Sequence, residues 1–322
     1  MQEITLKTAD AELLGTFFKN LGAEALARFT PHGISPAALR EVCTDPSDAR
    51  LVAVDADGVP VAYVVLREIA RPVPELLIAA AEPGCGYGTR MLELVKAYAR
   101  EQNKTALRAS VEPDNIRAHR LLGHHGFTQI GFTGGMNLLL LCDPRENPTP
   151  RGKLPEVSRE YVSRTGNRFT FRSLCADDGE RLDAFFRQLD KKGRAFFTPH
   201  DLTRLFLETL CRDTAADINA DRFIVTDTDG RIAGYVFLSA LQSPLPSMGI
   251  GTAEWARGEG LGREMLRFIQ NRVRAYGLRE MRLSTHLTNY TAQKLYKTSG
   301  FEVIGTTSFG ELLMLCDLGR VD

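Results

Sequence analysis

The fold of this chain depends on the stretch Trp255-Ala256-Arg257-Gly258-Glu259-Gly260-Leu261-Gly262-Arg263-Glu264-Met265-Leu266. An alternating apolar run ends at Thr252 before it, and an amphipathic run continues to Val273 after it. This pattern predicts a strand, a tight glycine loop and a helix, and glycine lets a backbone approach a ligand without a Cβ atom in the way. Because the loop opens a helix, its free N–H groups favour an anion, best a phosphate or pyrophosphate.

The glycine spacing narrows the choice of phosphate ligand. It is neither the G-x-x-x-x-G-K-[ST] of a P-loop nor the G-x-G-x-x-G of a dinucleotide-binding turn. The pattern Arg257-x-x-Gly260-x-Gly262 resembles the loop that binds the acyl-CoA pyrophosphate in the GNAT superfamily of N-acetyltransferases. Taken alone, the stretch is also compatible with a glycine-rich turn that binds nothing.

A second motif follows about thirty residues later and resembles the other signature of the same family. It reads Asn289-x-x-Ala292-x-x-Leu295-Tyr296-x-x-x-Gly300-Phe301. The resemblance implies that Asn289 caps a helix, that Tyr296 directs its hydroxyl into the cleft, and that Gly300 ends the helix in a left-handed turn.

Both motifs occur twice in the chain. The glycine loop recurs as Gly84-Cys85-Gly86-Tyr87-Gly88, and the second motif recurs from Asn115 to Phe127, each at an offset of 174 residues; segments further upstream repeat at 172 and 168. A period this long indicates a duplicated domain. We predict an α/β (α+β) protein with two GNAT-like copies, each a mixed, largely antiparallel sheet flanked by helices. The predicted boundaries are an N-terminal domain 1–143, a proline-rich linker 144–166 and a C-terminal domain 167–322.

The two copies differ at the positions that matter for chemistry. Pro83 stands where the second copy has Arg257, and Leu122 stands where it has Tyr296. We expect the N-terminal copy to be catalytically degenerate, although it could still acylate by proximity alone. Its loop, with Gly84, Gly86 and Gly88, is a possible second cofactor loop unless Tyr87 fills that space.

The resemblance implies that the C-terminal copy uses acetyl-CoA, a CoA thioester, without a metal. A splayed gap between the fourth and fifth strands would place backbone N–H groups at the thioester carbonyl, and direct attack by the amine would leave Cys211 and Cys316 unreacted. The cofactor-binding residues that we expect on this basis are Thr252, Arg257, Gly258, Glu259, Gly260, Leu261, Gly262, Arg263, Asn289 and Tyr296.

Proton transfer requires an acid and a base. Tyr296 is the expected general acid for the departing thiolate, unless it only packs against the cofactor. The base is either Glu254, at the end of the strand before the loop, or His286, at the end of the next strand. A solvated glutamate and a histidine bonded to a neighbouring backbone group are the alternatives. At an offset of 174, Ala80 and Glu112 stand at these positions in the first copy.

Two further residues lie near the predicted site. His200 ends a Phe-Thr-Pro-His turn that also occurs at 29–32, so we expect a structural role rather than substrate contact. Trp255 is the only tryptophan, and it either stacks on the substrate or covers the sheet edge.

Composition excludes several other classes of protein. Among 322 residues, 40 basic and 40 acidic side chains cancel, which indicates no nucleic-acid partner. No apolar run could span a membrane and no signal-peptide pattern is present, so we expect a cytoplasmic protein without a membrane partner. The six cysteines form no C-x-x-C or Cys/His cluster, and we expect neither a metal site nor a disulfide.

The function expected from these features is acetyl-CoA-dependent N-acetylation of a primary amine on a small molecule. The alternatives are a transferase or decarboxylase for another acyl-CoA, and a non-enzymatic acyl-CoA-binding protein. With two copies in one chain, a monomer that forms an intramolecular pseudo-dimer and a homodimer are both open.

Overall fold

The computed structural model describes residues 3–29, 31–82, 84–145, 148–197 and 200–319. The chain divides into two compact units, Met1–Pro148 and Thr149–Asp322. The predictions that rest on Pro83 and on the Thr198-Pro199 part of the turn before His200 lie outside the described residues.

The first unit alternates helices and strands. Its described helices are α1 Ala11–Asn20, α2 Ala23–Arg28, α3 Pro36–Thr44, α4 Tyr87–Glu101 and α5 Ile116–His124. Its described strands are β1 Thr5–Thr8, β2 Ala49–Val54, β3 Pro60–Arg67, β4 Glu75–Ala80, β5 Leu107–Val111, β6 Thr128–Phe132 and β7 Leu138–Cys142.

These strands form a mixed sheet in the order β1-β2-β3-β4-β5-β7-β6. Neighbouring strands are antiparallel, except that β4 and β5 run parallel and pair only at Glu75 and Arg108. Beyond this pair β4 and β5 diverge, and a gap opens between them.

The second unit repeats this plan. Its described helices are α6 Gly179–Gln188, α7 Lys191–Phe196, α8 Arg204–Asp213, α9 Leu261–Ala275 and α10 Tyr290–Lys297, with 3-10 turns at Ala176–Asp178 and Glu254–Ala256. Its described strands are β8 Ser158–Val162, β9 Arg168–Ser173, β10 Ala220–Thr226, β11 Ile232–Ser239, β12 Ser247–Thr252, β13 Glu280–Thr285, β14 Phe301–Thr306 and β15 Leu312–Asp317.

The second sheet has the order β8-β9-β10-β11-β12-β13-β15-β14. Strand β8 lies within 144–166, where we expect a linker, and it pairs antiparallel with β9. The chain before β8 also packs on this unit: the Arg151 amide donates to Gln242 Oε1 (2.8 Å), and Gln242 Nε2 donates back to the Arg151 carbonyl (3.1 Å). The second unit therefore begins earlier in the chain than the predicted boundary at 167.

Helices cover both faces of each sheet. In β3, Ala62, Val64 and Leu66 belong to the same core as α4, whereas Tyr63 and Val65 pack with α1 and α3. A strand covered on both faces carries a continuous apolar run, as β3 does. The predicted duplicated fold, with a mixed and mostly antiparallel sheet flanked by helices in each copy, is confirmed.

The strand registers show where the copies differ in length. Ala62 of β3 pairs with Ala80, and its equivalent Gly234 of β11 pairs with Thr252. Thr252 thus corresponds to Ala80 at an offset of 172, while the glycines correspond at 174. The two extra residues of the second copy therefore lie between Thr252 and Gly258, in the segment that contains the 3-10 turn Glu254–Ala256. The predicted correspondence of Glu254 with Ala80 is wrong, because the strand register aligns Ala80 with Thr252.

Candidate active site

The glycine loop of the second unit forms an open N-terminus for α9. Gly258 and Gly260 have φ angles of +89° and +80°, and Gly260 is the residue that precedes the helix. A side chain would strain the backbone at either angle. Within the described residues, the backbone N–H groups of 258–263 meet no acceptor, and nothing lies within 4 Å of where a Cβ would stand on Gly258. The loop therefore fits an anionic group such as the CoA pyrophosphate.

The third glycine has a different role. A Cβ on Gly262 would lie 3.1 Å from Cδ2 of Leu295, and one on Gly88 would lie 3.0 Å from Cδ2 of Leu121. In both copies this glycine lets the helix after the loop pack closely on the helix of the second motif. Its absence of a side chain serves helix packing.

The strand ends around the loop form a gap. β12 and β13 run parallel and pair only at Ser247 and Arg282, so they diverge toward the loop, as β4 and β5 do. At the far side of the gap, Asn289 Oδ1 accepts from the Ala292 amide (3.3 Å) and caps α10. Gly300 follows the helix at φ +90°. The predicted helix cap at Asn289 and the left-handed turn at Gly300 are thus confirmed.

Tyr296 lies in α10 and is 7% exposed, with its ring 5.7 Å from that of Phe301. In the described part of the chain its hydroxyl has no hydrogen-bond partner. Burial raises the pKa of Tyr296 well above its usual value. The group therefore holds its proton at neutral pH.

Glu254 belongs to a cluster of three charged side chains. The Arg257 guanidinium lies 3.5 Å from the Glu254 carboxylate and 3.8 Å from that of Asp190. A hydrogen bond with Asp190 raises the pKa of Glu254, partial burial acts in the same direction, and Arg257 opposes them. Asp190 caps α7 by accepting from the Gly193 amide, so it is held in place by the backbone.

His286 is exposed after β13, and its ring is bonded locally. The Thr288 amide donates to His286 Nδ1 (3.2 Å), and Thr288 Oγ1 lies 2.9 Å from the same nitrogen. With Nδ1 as acceptor, the neutral ring carries its hydrogen on Nε2. The His286 ring also lies 5.2 Å from that of Phe196, the last residue of α7.

The remaining predicted cofactor residues occupy different environments. Leu261 is buried in the core and Arg263 is exposed on the first turn of α9. Thr252 ends β12 opposite Gly234. Glu259 is bound to the β8–β9 hairpin: its carboxylate accepts from Thr165 Oγ1 and from Asn167 Nδ2, the latter at 3.0 Å.

Tyr161 of β8 is a further residue at the loop that was not predicted from the sequence. Its hydroxyl donates to the Glu259 carbonyl (3.3 Å) and would stand 3.3 Å from a Cβ on Gly260. The available signal was the Thr165-Gly166-Asn167 sequence, a hairpin turn in which Gly166 has φ +90°.

The first copy keeps the glycine loop but lacks the tyrosine of the second motif. Gly84 and Gly86 have φ angles of +90° and +82°, close to those of the second loop. Tyr87 packs into the core of the first unit and does not fill the space over the loop. Leu122 is likewise buried in that core.

One pair of contacting positions carries charged residues in the first unit and aromatic residues in the second. Arg28, at the end of α2, forms ion pairs with Glu112 and Asp114 after β5. The repeat aligns Arg28 with Phe196 and Glu112 with His286. Phe196 and His286 form the aromatic contact in the second unit. In both units the second helix is thereby joined to the wide end of the gap between diverging strands.

His200 and Trp255 have structural contacts. His200 packs on the buried Tyr235, ring to ring at 5.9 Å, as His32 does on Tyr63 in the first unit. Trp255 lies beneath the Arg231 guanidinium, 3.9 Å from the ring centre, and is partly exposed.

The six cysteines are free thiols. Among the described residues, no His, Cys, Asp and Glu side chains come together as a metal site. In the same part of the chain, no helix has the length and apolar character needed to cross a membrane.

Comparison with known proteins agrees with this architecture. The model of the acetyltransferase (GNAT) family matches residues 20–127 and 186–301, together more than half of the chain. The chain therefore belongs to the GNAT acetyltransferase family, with one copy in each unit, and is an acyltransferase.

Several solved structures are similar to it. The GNAT domain of S. lividans PAT is 19% identical, with 50% of this chain and 97% of that chain covered and a TM-score of 0.44. A GNAT-family acetyltransferase from Streptococcus pneumoniae is 22% identical, with 47% and 99% covered and a TM-score of 0.40. Spermidine N-acetyltransferase from Vibrio cholerae, solved with CoA and spermine, is 19% identical, with 47% and 96% covered and a TM-score of 0.39. No curated protein matches the chain.

Proposed function

We propose that the second unit is an acetyl-CoA-dependent N-acetyltransferase that acts on a primary amine of a small molecule. The observation that carries the proposal is the conjunction of three features at one end of its sheet. These are a loop of unpaired amides, a gap between diverging strands, and a buried tyrosine that retains its proton. The first unit has the loop and the gap, but a leucine at the tyrosine position.

The cofactor is held by the loop in this proposal. The amides of 258–263 bind the pyrophosphate, and Arg257 turns from its carboxylate partners toward it. Because Arg257 and its partners are largely exposed, breaking these ion pairs costs little. Thr252 and Asn289 border the gap in which the thioester arm lies. When bound, acetyl-CoA supplies the acetyl group as an activated thioester.

Two side chains of this chain handle protons. Tyr296 keeps its hydroxyl proton available for the sulfur that departs. Glu254 is the better base, because its raised pKa makes the carboxylate more basic. His286 is the weaker candidate, since the lone pair of Nδ1 already accepts from the Thr288 amide. Asp190 assists Glu254, because it accepts a hydrogen bond from Glu254 once Glu254 holds the proton.

We further propose that the first unit does not catalyse. Its loop precedes α4 with the same backbone geometry, but Leu122 offers no proton at the position of Tyr296. Arg28 also joins α2 to Glu112 and Asp114, which follow β5 at the wide end of its gap. In this proposal the ion pair hinders the approach of an acceptor amine.

Calorimetry with acetyl-CoA tests the proposal in the full chain. Gly260→Trp and Gly86→Trp form a matched pair, because both glycines have φ near +80° and both variants carry the same backbone strain. We expect one site, lost only in Gly260→Trp, and thiol release with a panel of primary amines that disappears in the same variant. Acetyl transfer that survives Gly260→Trp but not Gly86→Trp would assign catalysis to the first unit. Preference for a longer acyl-CoA over acetyl-CoA would change the acyl group assigned here.

A further inference from the structure

A side chain of the β8–β9 hairpin contacts the backbone of the glycine loop in the second unit. Tyr161 projects from β8, and its hydroxyl donates to the Glu259 carbonyl at 3.3 Å. The same oxygen is the nearest atom to a Cβ placed on Gly260, again at 3.3 Å. A hydroxyl in this position restricts rotation of the Glu259–Gly260 peptide, which lies between the two left-handed glycines.

The hairpin also holds the only carboxylate of the loop. Glu259 stands between Gly258 and Gly260, and its oxygens accept from Thr165 Oγ1 and Asn167 Nδ2. Hydrogen bonds from Ser163, Thr165 and Asn167 lower the pKa of Glu259, so the group stays ionised. An unrestrained carboxylate in an anion-binding loop would compete with a phosphate for the loop amides. The hairpin supplies other donors to it.

A third contact fixes the hairpin to the helix that follows the loop. Arg159 of β8 donates to Glu264 Oε1 (2.7 Å) in the first turn of α9. Its guanidinium also lies 4.9 Å from the centre of the Phe171 ring and 5.3 Å from that of Phe268. Phe171 belongs to β9 and Phe268 to α9, so the hairpin and the helix share one packed cluster.

The first unit provides the comparison. Gly86 has nearly the same φ as Gly260, yet among the described residues beyond its two chain neighbours no atom lies within 4 Å of a Cβ placed on it. The glycine loop of the unit with Tyr296 is thus contacted by a side chain from another element. The loop of the unit with Leu122 has no such contact at Gly86 among the described residues.

We propose that the β8–β9 hairpin is a positioning element for the cofactor loop, with Tyr161 fixing its backbone and Thr165 and Asn167 retaining the Glu259 carboxylate. The inference rests on the proposed function, because it assumes that CoA binds at 258–262. None of the three side chains takes part in proton transfer. Their effect is on cofactor affinity.

Calorimetry with CoA tests the backbone contact. Tyr161→Phe removes one hydroxyl, and we expect CoA affinity to fall on the order of threefold to tenfold, the worth of one hydrogen bond. The KM for acetyl-CoA rises to the same extent while kcat stays constant. Tyr276→Phe is the matched control: its hydroxyl bonds to Asp221 Oδ2 (2.9 Å) at the opposite end of α9, and its loss leaves CoA affinity unchanged.

A rescue experiment tests the carboxylate. Thr165→Ala/Asn167→Ala removes two of the three hydrogen-bond donors to Glu259, and we expect weaker CoA binding. Adding Glu259→Gln removes the competing charge and restores CoA binding. If Tyr161→Phe binds CoA like the wild type and the triple variant binds no better than the double, the inference fails although the proposed function stands. A wild-type protein that does not bind CoA refutes the proposed function itself.

Discussion

Replacing Gly249 by alanine is expected to destabilise the second unit. Gly249 of β12 lies opposite Phe237 of β11, and an alanine Cβ would stand only 2.4 Å from two carbons of that ring. Carbon atoms in contact are normally ~3.5 Å apart or more, so the ring must move by about 1 Å. Phe237 is buried, and overpacking of this kind costs about 1–3 kcal/mol.

Gly251→Ala is the matched control on the same face of the same strand. Its nearest neighbours would be Phe185 Cζ at 3.5 Å and Phe197 Cδ2 at 3.7 Å, which are ordinary contacts. We expect its stability to stay within about 0.5 kcal/mol of the wild type. The first unit has Leu77 at the position of Gly249, and there the opposite residue is the smaller Val65.

Urea denaturation followed by tryptophan fluorescence measures the difference, because Trp255 is the only tryptophan and lies in the second unit. The midpoint for Gly249→Ala is expected well below that for Gly251→Ala, with an unchanged slope. Equal midpoints for the two variants would refute the packing argument.

Three further predictions concern ionisable groups of the second unit. Tyr296→Phe is expected to lower kcat by ~10²-fold or more, the usual contribution of a general acid, with CoA affinity retained by calorimetry; an unchanged kcat would remove Tyr296 from the acid role. The rate should rise with pH through the raised pKa of Glu254, since only the deprotonated carboxylate accepts a proton, and a pH–rate profile of Glu254→Gln should lack that rise. Burial alone would raise the pKa of Asp178, but hydrogen bonds from Arg172 (2.6 Å) and the Cys175 amide lower it overall. Its contribution to stability is therefore present above the unfolded-state pKa and lost as pH falls through the lower folded-state value. Denaturant midpoints measured at decreasing pH should show this loss of stability in the wild type and not in Asp178→Asn. At neutral pH the same variant is expected to be about 3–5 kcal/mol less stable than the wild type, because Arg172 loses its buried partner.

The features predictable from sequence were those with local causes. A left-handed backbone requires glycine, so the spacing of Gly258 and Gly260 predicted the loop that the structure contains. A side-chain cap acts within three residues, so Asn289 was identifiable as the start of α10. The duplication and the fold class followed from the repetition of these local signals.

The features that were missed depend on contacts distant in sequence. Tyr161 reaches a loop nearly one hundred residues away, and it lies in a segment whose prolines indicated a linker. Asp190 contacts Glu254 and Arg257 only because α7 returns to the end of β12. The role of Gly262 in helix packing required the position of Leu295. The wrong alignment of Ala80 arose because the two extra residues could be located only by strand register.

The exchange of Arg28 and Glu112 for Phe196 and His286 also gives the two units different responses to salt. Mobile ions screen charges at the surface, and about 0.15 M salt reduces their range to about 8 Å. The ion pairs that tie α2 to the end of β5 are partly exposed and weaken as salt is added. The contact of Phe196 with His286 depends on ring packing and loses little. Raising the ionic strength therefore weakens the attachment of α2 in the first unit and leaves that of α7 in the second unit nearly unchanged. Salt thus distinguishes the contributions of the two units without any substitution.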